Sequence, residues 1–175
     1  MDARQPLPRL WLMTDERQRE GLFASIDRLP RGSGIVFRHY RLPEAERHTL
    51  FRRVRAMALR DRQLLLLGGP AEQAAAWHAD GSHGRGPGEG LRSAPAHDFK
   101  EIRAAERAGA ALIFLSPVYP TRSHPCATTL GPARFGSLCR RTRLPVIALG
   151  GVNAMRARGL VARGAYGWAG IDAWR

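Results

Sequence analysis

The segment Leu144-Pro-Val-Ile-Ala-Leu-Gly-Gly-Val-Asn153 runs from an apolar stretch into a glycine pair and then a helix start. Glycine lacks Cβ, so the backbone at Gly150 and Gly151 can approach a ligand closely and adopt positive φ. The N–H groups of a helix start are unpaired and favour an anion. A strand, a Gly-Gly turn and a helix start together are how a parallel α/β barrel builds a phosphate pocket. The same residues also suit a tight turn with no ligand. Upstream, Gly109-Ala-Ala-Leu-Ile-Phe-Leu-Ser-Pro-Val-Tyr-Pro-Thr121 repeats the design, with an apolar strand feeding a loop rich in proline and hydroxyl groups. His78-x-Asp80-x-x-His83 offers two further readings. One is a metal cluster. The other is a set of hydrogen-bonding groups that orient the end of a barrel, since side chains in a strand or turn need not converge on an ion. No local motif supports a Ser–His–Asp nucleophile.

Short apolar runs alternate with amphipathic stretches, the pattern of parallel βα units. Strands are expected at Leu10–Thr14, Ile35–His39, Leu64–Leu67, near Ala79–His83, at Arg92–His97, Ala111–Val118, Pro145–Leu149 and Gly167–Asp172. Helices are expected at Leu22–Leu29, Pro43–Asp61, Ala71–Trp77, Phe99–Ala108, Pro132–Arg141 and from Asn153 to Gly164. In the longest helix, Leu50, Val54, Met57 and Ala58 fall at helical spacing, with arginines on the other face. Asp98 and Asn153 suit N-caps, and Gly109 suits the residue just past a helix. Gly84-Arg-Gly-Pro-Gly-Glu-Gly90 reads as a loop where a complete barrel carries a helix. About eight such units read as one compact (β/α)8 barrel domain over residues 1–175, with a shortened fourth unit. At 175 residues the chain is well below the roughly 250 typical of that fold, so a flavodoxin-like open sheet is the rival on length.

A net charge of +13 invites a nucleic-acid reading, but the basic residues do not support it. Lys100 is the only lysine among 28 basic residues, and the arginines are scattered over the expected helices and do not form one block. No RNA- or DNA-binding motif is present. A basic surface that attracts small anionic substrates is the simpler reading. No apolar run approaches the roughly 18 residues needed to span a membrane, and none has signal-peptide character, so the cytoplasm is expected. Cys126 and Cys139 make no C-x-x-C pair; Cys139 falls in a helix pattern and Cys126 in a loop. Trp168 and Trp174 leave room for a homodimer.

The ordered motifs resemble the thiamine phosphate synthase family, which also includes a related thiazole tautomerase. They are His97, Glu101, Gly109-Ala110, Ser116-Pro-Val-Tyr-Pro-Thr121, Pro145-Val-Ile-Ala-Leu-Gly-Gly151 and Gly164-Ala-Tyr-Gly167. Leu12-Met-Thr-Asp15 and Ala79-Asp-Gly-Ser-His83 add weaker matches. The resemblance implies the barrel over the open sheet. It implies that a pyrimidine methyl diphosphate is joined to a thiazole phosphate with release of pyrophosphate. It also implies that Gly150 and Gly151, with Gly170, Ile171 and Asp172 of the last strand, hold the thiazole phosphate. Arg38, His97, Thr121, Ser123 and His124 fall on the family's catalytic and diphosphate positions.

The chain departs from the family at the diphosphate end. Where the family has Pro-Thr-x-Thr-Lys, the lysine is His124, a weaker partner for pyrophosphate near neutral pH. The family's Gln-x-Arg-x-Lys on the second strand reads Val36-Phe-Arg38-His-Tyr40, keeping only Arg38. The serine two residues before the family histidine is Pro95. An Asn-Asp pair after the third strand is replaced by Gly68-Gly69, and the second family aspartate has only Glu89 nearby. The resemblance implies Mg²⁺, but its usual carboxylate ligands are missing here, and no metal ligand is assigned. Pro117 stands where the tautomerase carries its histidine. Two functions remain open here: a divergent synthase, or a non-catalytic relative that binds a phosphorylated thiazole or thiamine phosphate.

Overall fold

Period-two alternation sets the architecture, because each strand must bury one face inward and the other against helices. The computed structural model describes residues 6–18, 21–121 and 128–174. Its strands are β1 (Leu10–Met13), β2 (Gly34–Phe37), β3 (Leu64–Gly68), β4 (Gly81–His83), β5 (Leu91–Ala96), β6 (Leu112–Leu115), β7 (Val146–Ala148) and β8 (Gly167–Gly170). All neighbouring pairs are parallel, and β8 pairs with β1, so the sheet closes in the order β1 to β8. Closure excludes the open-sheet rival.

Trp11, Met13, Val36, Leu66, Leu112, Phe114, Ile147 and Ala169 fill the barrel interior. The residues between them, such as Leu12, Ile35, Phe37, Leu65 and Leu67, pack outward. Trp11 and Phe114 meet edge to face at 5.3 Å. Gly34 is required beside them, because a Cβ there would run into the Trp11 ring. A small barrel thus spends one glycine to seat one large interior ring.

The helices are α1 (Gly21–Asp27), α2 (Glu44–Arg60), α3 (Ala71–Ala76), α4 (Phe99–Arg107), α5 (Gly131–Cys139) and α6 (Ala154–Val161). Asp98 caps α4 by accepting from the Glu101 N–H at 2.8 Å, and Gly109 follows that helix with φ of 73°. Residues 84–90 form no helix, which confirms the shortened fourth unit. Cys139 is buried, and burial pushes its thiol up to about 12. Among the described residues no helix is long and apolar enough to cross a membrane.

The arginines of α2 do not all lie on its outer face, which corrects the sequence expectation. The buried residues of α2 are Arg47, Phe51, Val54 and Ala58, whereas Leu50 and Met57 are only partly buried. Positions 47, 51, 54 and 58 are themselves helically spaced. Arg47 therefore belongs to the core stripe and reaches the barrel end where the loops gather.

Candidate active site at the barrel mouth

The C-terminal ends of the strands form the mouth, where barrel enzymes build their sites. Two sides of it differ in construction. On the β7–β8 side, the chain leaves β7 and turns at Gly150 (φ 90°) and Gly151 (φ 63°). A Cβ at Gly150 would lie 2.7 Å from the Pro117 Cα, and one at Gly151 would lie 2.5 Å from the Pro120 carbonyl oxygen. Glycine is thus demanded by both φ and space. The loop after β6 is tied on by Val118 N–H to the Leu149 carbonyl and Tyr119 N–H to the Gly150 carbonyl, each 2.9 Å. Asn153 caps α6 by accepting from the Arg156 N–H at 2.9 Å. Among the described residues, none accepts from the N–H groups of Gly151 or Val152.

These groups line a cavity of about 270 Å³. Gly150, Gly151, Gly170, Ile171 and Asp172, which the sequence singled out separately, all border it, as does Thr121. Sequence reasoning missed Arg156, which also borders it. Its guanidinium donates to the Gly151 carbonyl at 2.6 Å and lies 4.7 Å from the Tyr119 ring centre. Its signal was available: a cation on the first turn after the glycine pair. Gln18 steadies the far wall by donating to the Ile171 carbonyl at 2.9 Å.

The β1–β3 side is made of side chains. Arg38, just past β2, donates through Nε to the Thr14 carbonyl (2.7 Å) and through Nη2 to Asp15 (3.2 Å). Its own N–H donates to the Thr14 hydroxyl, which lies 3.0 Å from His39 Nδ1. Burial lowers the Arg38 pKa from its ordinary value, and Asp15 opposes this. Burial pushes the Asp15 carboxyl up, but the hydrogen bonds and charge of Arg17, with the charge of Arg38, outweigh it and hold the carboxyl below its usual range. Burial holds His39 below its usual pKa.

Arg47 stands next to this group. It donates to the Arg38 carbonyl (3.0 Å), the Gly68 carbonyl (2.5 Å) and Gln73 Oε1 (3.3 Å). Its guanidinium also lies 5.8, 5.4 and 5.3 Å from the ring centres of Phe37, Tyr40 and Trp77. It forms no ion pair with any described carboxylate. The Tyr40 hydroxyl takes the space that a Cβ on Gly68 would need.

His97, past the end of β5, donates from Nδ1 to the Ser116 carbonyl at 2.6 Å. Its N–H is held by Glu101 at 2.8 Å, and Glu101 also pairs with Arg85. His83, at the end of β4, shares a 2.9 Å hydrogen bond with Ser93 and meets Phe114 edge to face. Burial pushes its pKa down to about 3, so the ring is neutral at physiological pH. Asp80 does not orient the mouth, contrary to expectation. It accepts from the Leu65 N–H at 2.8 Å near the start of β3, at the opposite end of the barrel. Ser123, His124 and Cys126 lie outside the described residues.

Among the described residues, those at the family's metal positions do not fit Mg²⁺. Gly68 and Gly69 bring no ligand, and Gly69 has φ of 147°, where a side chain would be strained. Asp15 is saturated by Arg17 and Arg38, and the Glu16 carboxylate accepts from the Arg41 N–H. Glu89 is exposed in its loop. Among the described residues no three His, Cys, Asp or Glu side chains come together.

The family model described as thiamine monophosphate synthase matches residues 93–174. A protein of Aquifex aeolicus, provisionally named thiamine-phosphate synthase 2, is 32% identical over 180 residues, covering 95% of this chain and 97% of its own. A thiamine-phosphate synthase of Methanospirillum hungatei is 29% identical, covering 94% and 88%. The solved thiamine phosphate pyrophosphorylase of Pyrococcus furiosus shares the fold with a TM-score of 0.80 at 24% identity, covering 94% of this chain and 86% of that one.

Proposed function

The chain belongs to the thiamine-phosphate synthase family of enzymes, and from that premise we propose that it joins a pyrimidine methyl diphosphate to a thiazole phosphate. The carbon–oxygen bond to the diphosphate breaks, and its electron pair leaves with pyrophosphate. The lone pair of the thiazole nitrogen then forms the new carbon–nitrogen bond, giving thiamine phosphate. The protein acts in the cytoplasm on these small phosphorylated substrates.

The observation that carries the reading is the cavity at the ends of β7 and β8. There Gly150, Gly151, Gly170, Ile171 and Asp172 converge with Arg156 around a space of about 270 Å³. Unpaired amides and a cation suit a phosphate monoester. Arg38 is assigned to the diphosphate, where it neutralises the charge that builds on the leaving oxygen. His97, oriented by its Nδ1 hydrogen bond to the Ser116 carbonyl, is assigned to the pyrimidine. Thr121, Ser123 and His124 are assigned to the leaving group by their places in the family pattern.

The absence of metal carboxylates favours a second reading, a binder of phosphorylated thiazole without turnover. Incubation of the purified protein with both substrates decides between them. Thiamine phosphate that forms with the wild type and is lost with Arg38→Ala supports the synthase. A folded protein that binds thiazole phosphate and forms no product selects the binder.

A further inference from the structure

The family chemistry calls for a metal, and the described residues at its place offer no free carboxylate to hold one. The place that loses the metal carboxylate is Gly68-Gly69, and what adjoins it is Arg47. This side chain is only 8% exposed, yet none of its hydrogen bonds goes to a carboxylate. Glu16 and Glu44 act on it only through space. A buried charge without a counter-ion is costly, and the cost is removed when an anion binds nearby. Three of its N–H groups are used, and a guanidinium carries five. The Tyr40 hydroxyl lies over Gly68, within the fields of both Arg38 and Arg47. Tyr40 as a whole residue is more than half exposed, while burial raises the pKa of its hydroxyl.

We propose that Arg47 is a fixed cation in place of the metal. Together with Arg38 and the Tyr40 hydroxyl it balances the charge of the diphosphate, so that the site needs no protein-bound Mg²⁺. The inference rests on the synthase reading for the identity of the anion. Arg47 acts mainly through its field and through the carbonyls of Arg38 and Gly68, so it is a positioning residue. Arg38 and Tyr40 make the contacts. The pattern is consistent along the chain: one position loses a carboxylate, a second exchanges lysine for tyrosine, and a cation arrives from α2.

The test is calorimetric titration with inorganic pyrophosphate, in the presence of saturating thiazole phosphate, in EDTA and again in Mg²⁺. The wild type should bind in EDTA, and Mg²⁺ should not tighten binding. Arg47→Met should weaken pyrophosphate by about tenfold, the loss of a buried charge interaction. Thiazole phosphate affinity should move by less than about twofold, since distant, unlinked sites are independent. Arg47→Lys, which restores the charge, should recover pyrophosphate affinity to within about threefold of wild type. Tyr40→Phe should lose about threefold, one hydrogen bond, and carries the test if the Arg47 variants do not fold. Tightening by Mg²⁺ of about tenfold or more overturns the proposal. So do folded Met and Phe variants that bind as wild type, or a Lys variant as weak as Met. These affinities with no thiamine phosphate formed would support the cation and overturn the synthase reading. Product formation with binding that requires Mg²⁺ would do the reverse.

Discussion

The two sides of the mouth hold their charges by different means. The β7–β8 side is built from backbone: two glycines forced into positive φ, a capped helix and one arginine laid across the turn. The β1–β3 side is built from side chains: Arg38, Asp15, Arg47 and Tyr40. A backbone pocket tolerates little change, because any Cβ meets neighbouring atoms. A side-chain site can exchange one charge carrier for another while the strands beneath stay put.

The largest expected effect breaks the backbone side. Gly151→Asp puts a carboxylate into the anion cavity and a Cβ 2.5 Å from the Pro120 carbonyl oxygen. Thiazole phosphate affinity should fall by roughly 100-fold or more, combining like-charge repulsion with strain at φ of 63°. Isothermal titration checks it, and pyrophosphate binding on the other side should be spared. Equal loss of both ligands would mean the two sides are not separable.

Arg38→Ala breaks the opposite side. It removes the cation paired with Asp15 and should weaken the pyrimidine diphosphate by about 30-fold, near 2 kcal/mol for a charged hydrogen-bond donor. Thiazole phosphate should lose less than about threefold, because its cavity does not include Arg38. Competition binding with each substrate alone measures the split. Equal losses for the two ligands would remove Arg38 from the diphosphate end.

The same contrast explains what the sequence disclosed. Gly150 and Gly151 were legible because only one residue type fits a turn of that kind, so chemistry and spacing coincide. Asp98 and Asn153 were legible as caps for the same reason: the side-chain oxygen must sit one residue before the helix. Arg47 was not read as part of the site, because arginine on an amphipathic helix is ordinarily solvent-facing. Its spacing with Phe51, Val54 and Ala58 was the signal, and only packing shows that a cation joins an apolar stripe. Asp80 failed in the other direction. Its motif suggested the mouth, but an aspartate two residues earlier along the chain than Ser82 sits at the far end of a strand as short as β4. The loss of the metal carboxylates was visible in Gly68-Gly69, whereas the tyrosine filling that space depends on the turn after β2.

Next to the side-chain half, at the end of β4, lies a titration that amides cannot have. His83 is buried and neutral, with its pKa pushed down to about 3, while the unfolded chain takes up a proton near 6.5. Between those values the unfolded state binds the extra proton, so stability is fullest above pH 6.5 and declines as pH falls. The slope should approach about 1.4 kcal/mol per pH unit from this group. Denaturant melts at successive pH values measure it. His83→Asn keeps a donor for Ser93 and should flatten that slope; an unchanged slope would assign the acid sensitivity elsewhere.

The smallest effect sharpens the backbone side. Asn153 accepts from the Arg156 N–H and so fixes both the start of α6 and the backbone that carries Arg156. Asn153→Ala leaves that N–H unpaired and should cost about 1 kcal/mol of stability, the usual value for a lost N-cap. The glycine turn is held independently by the carbonyls that Val118 and Tyr119 engage. Binding of thiazole phosphate should therefore weaken only about two- to threefold, through Arg156 alone. Paired thermal melts and titrations separate the two quantities. A loss of binding as large as that of Gly151→Asp would show that the pocket depends on the helix start more than on the glycine turn, and the backbone side would have to be redrawn around α6.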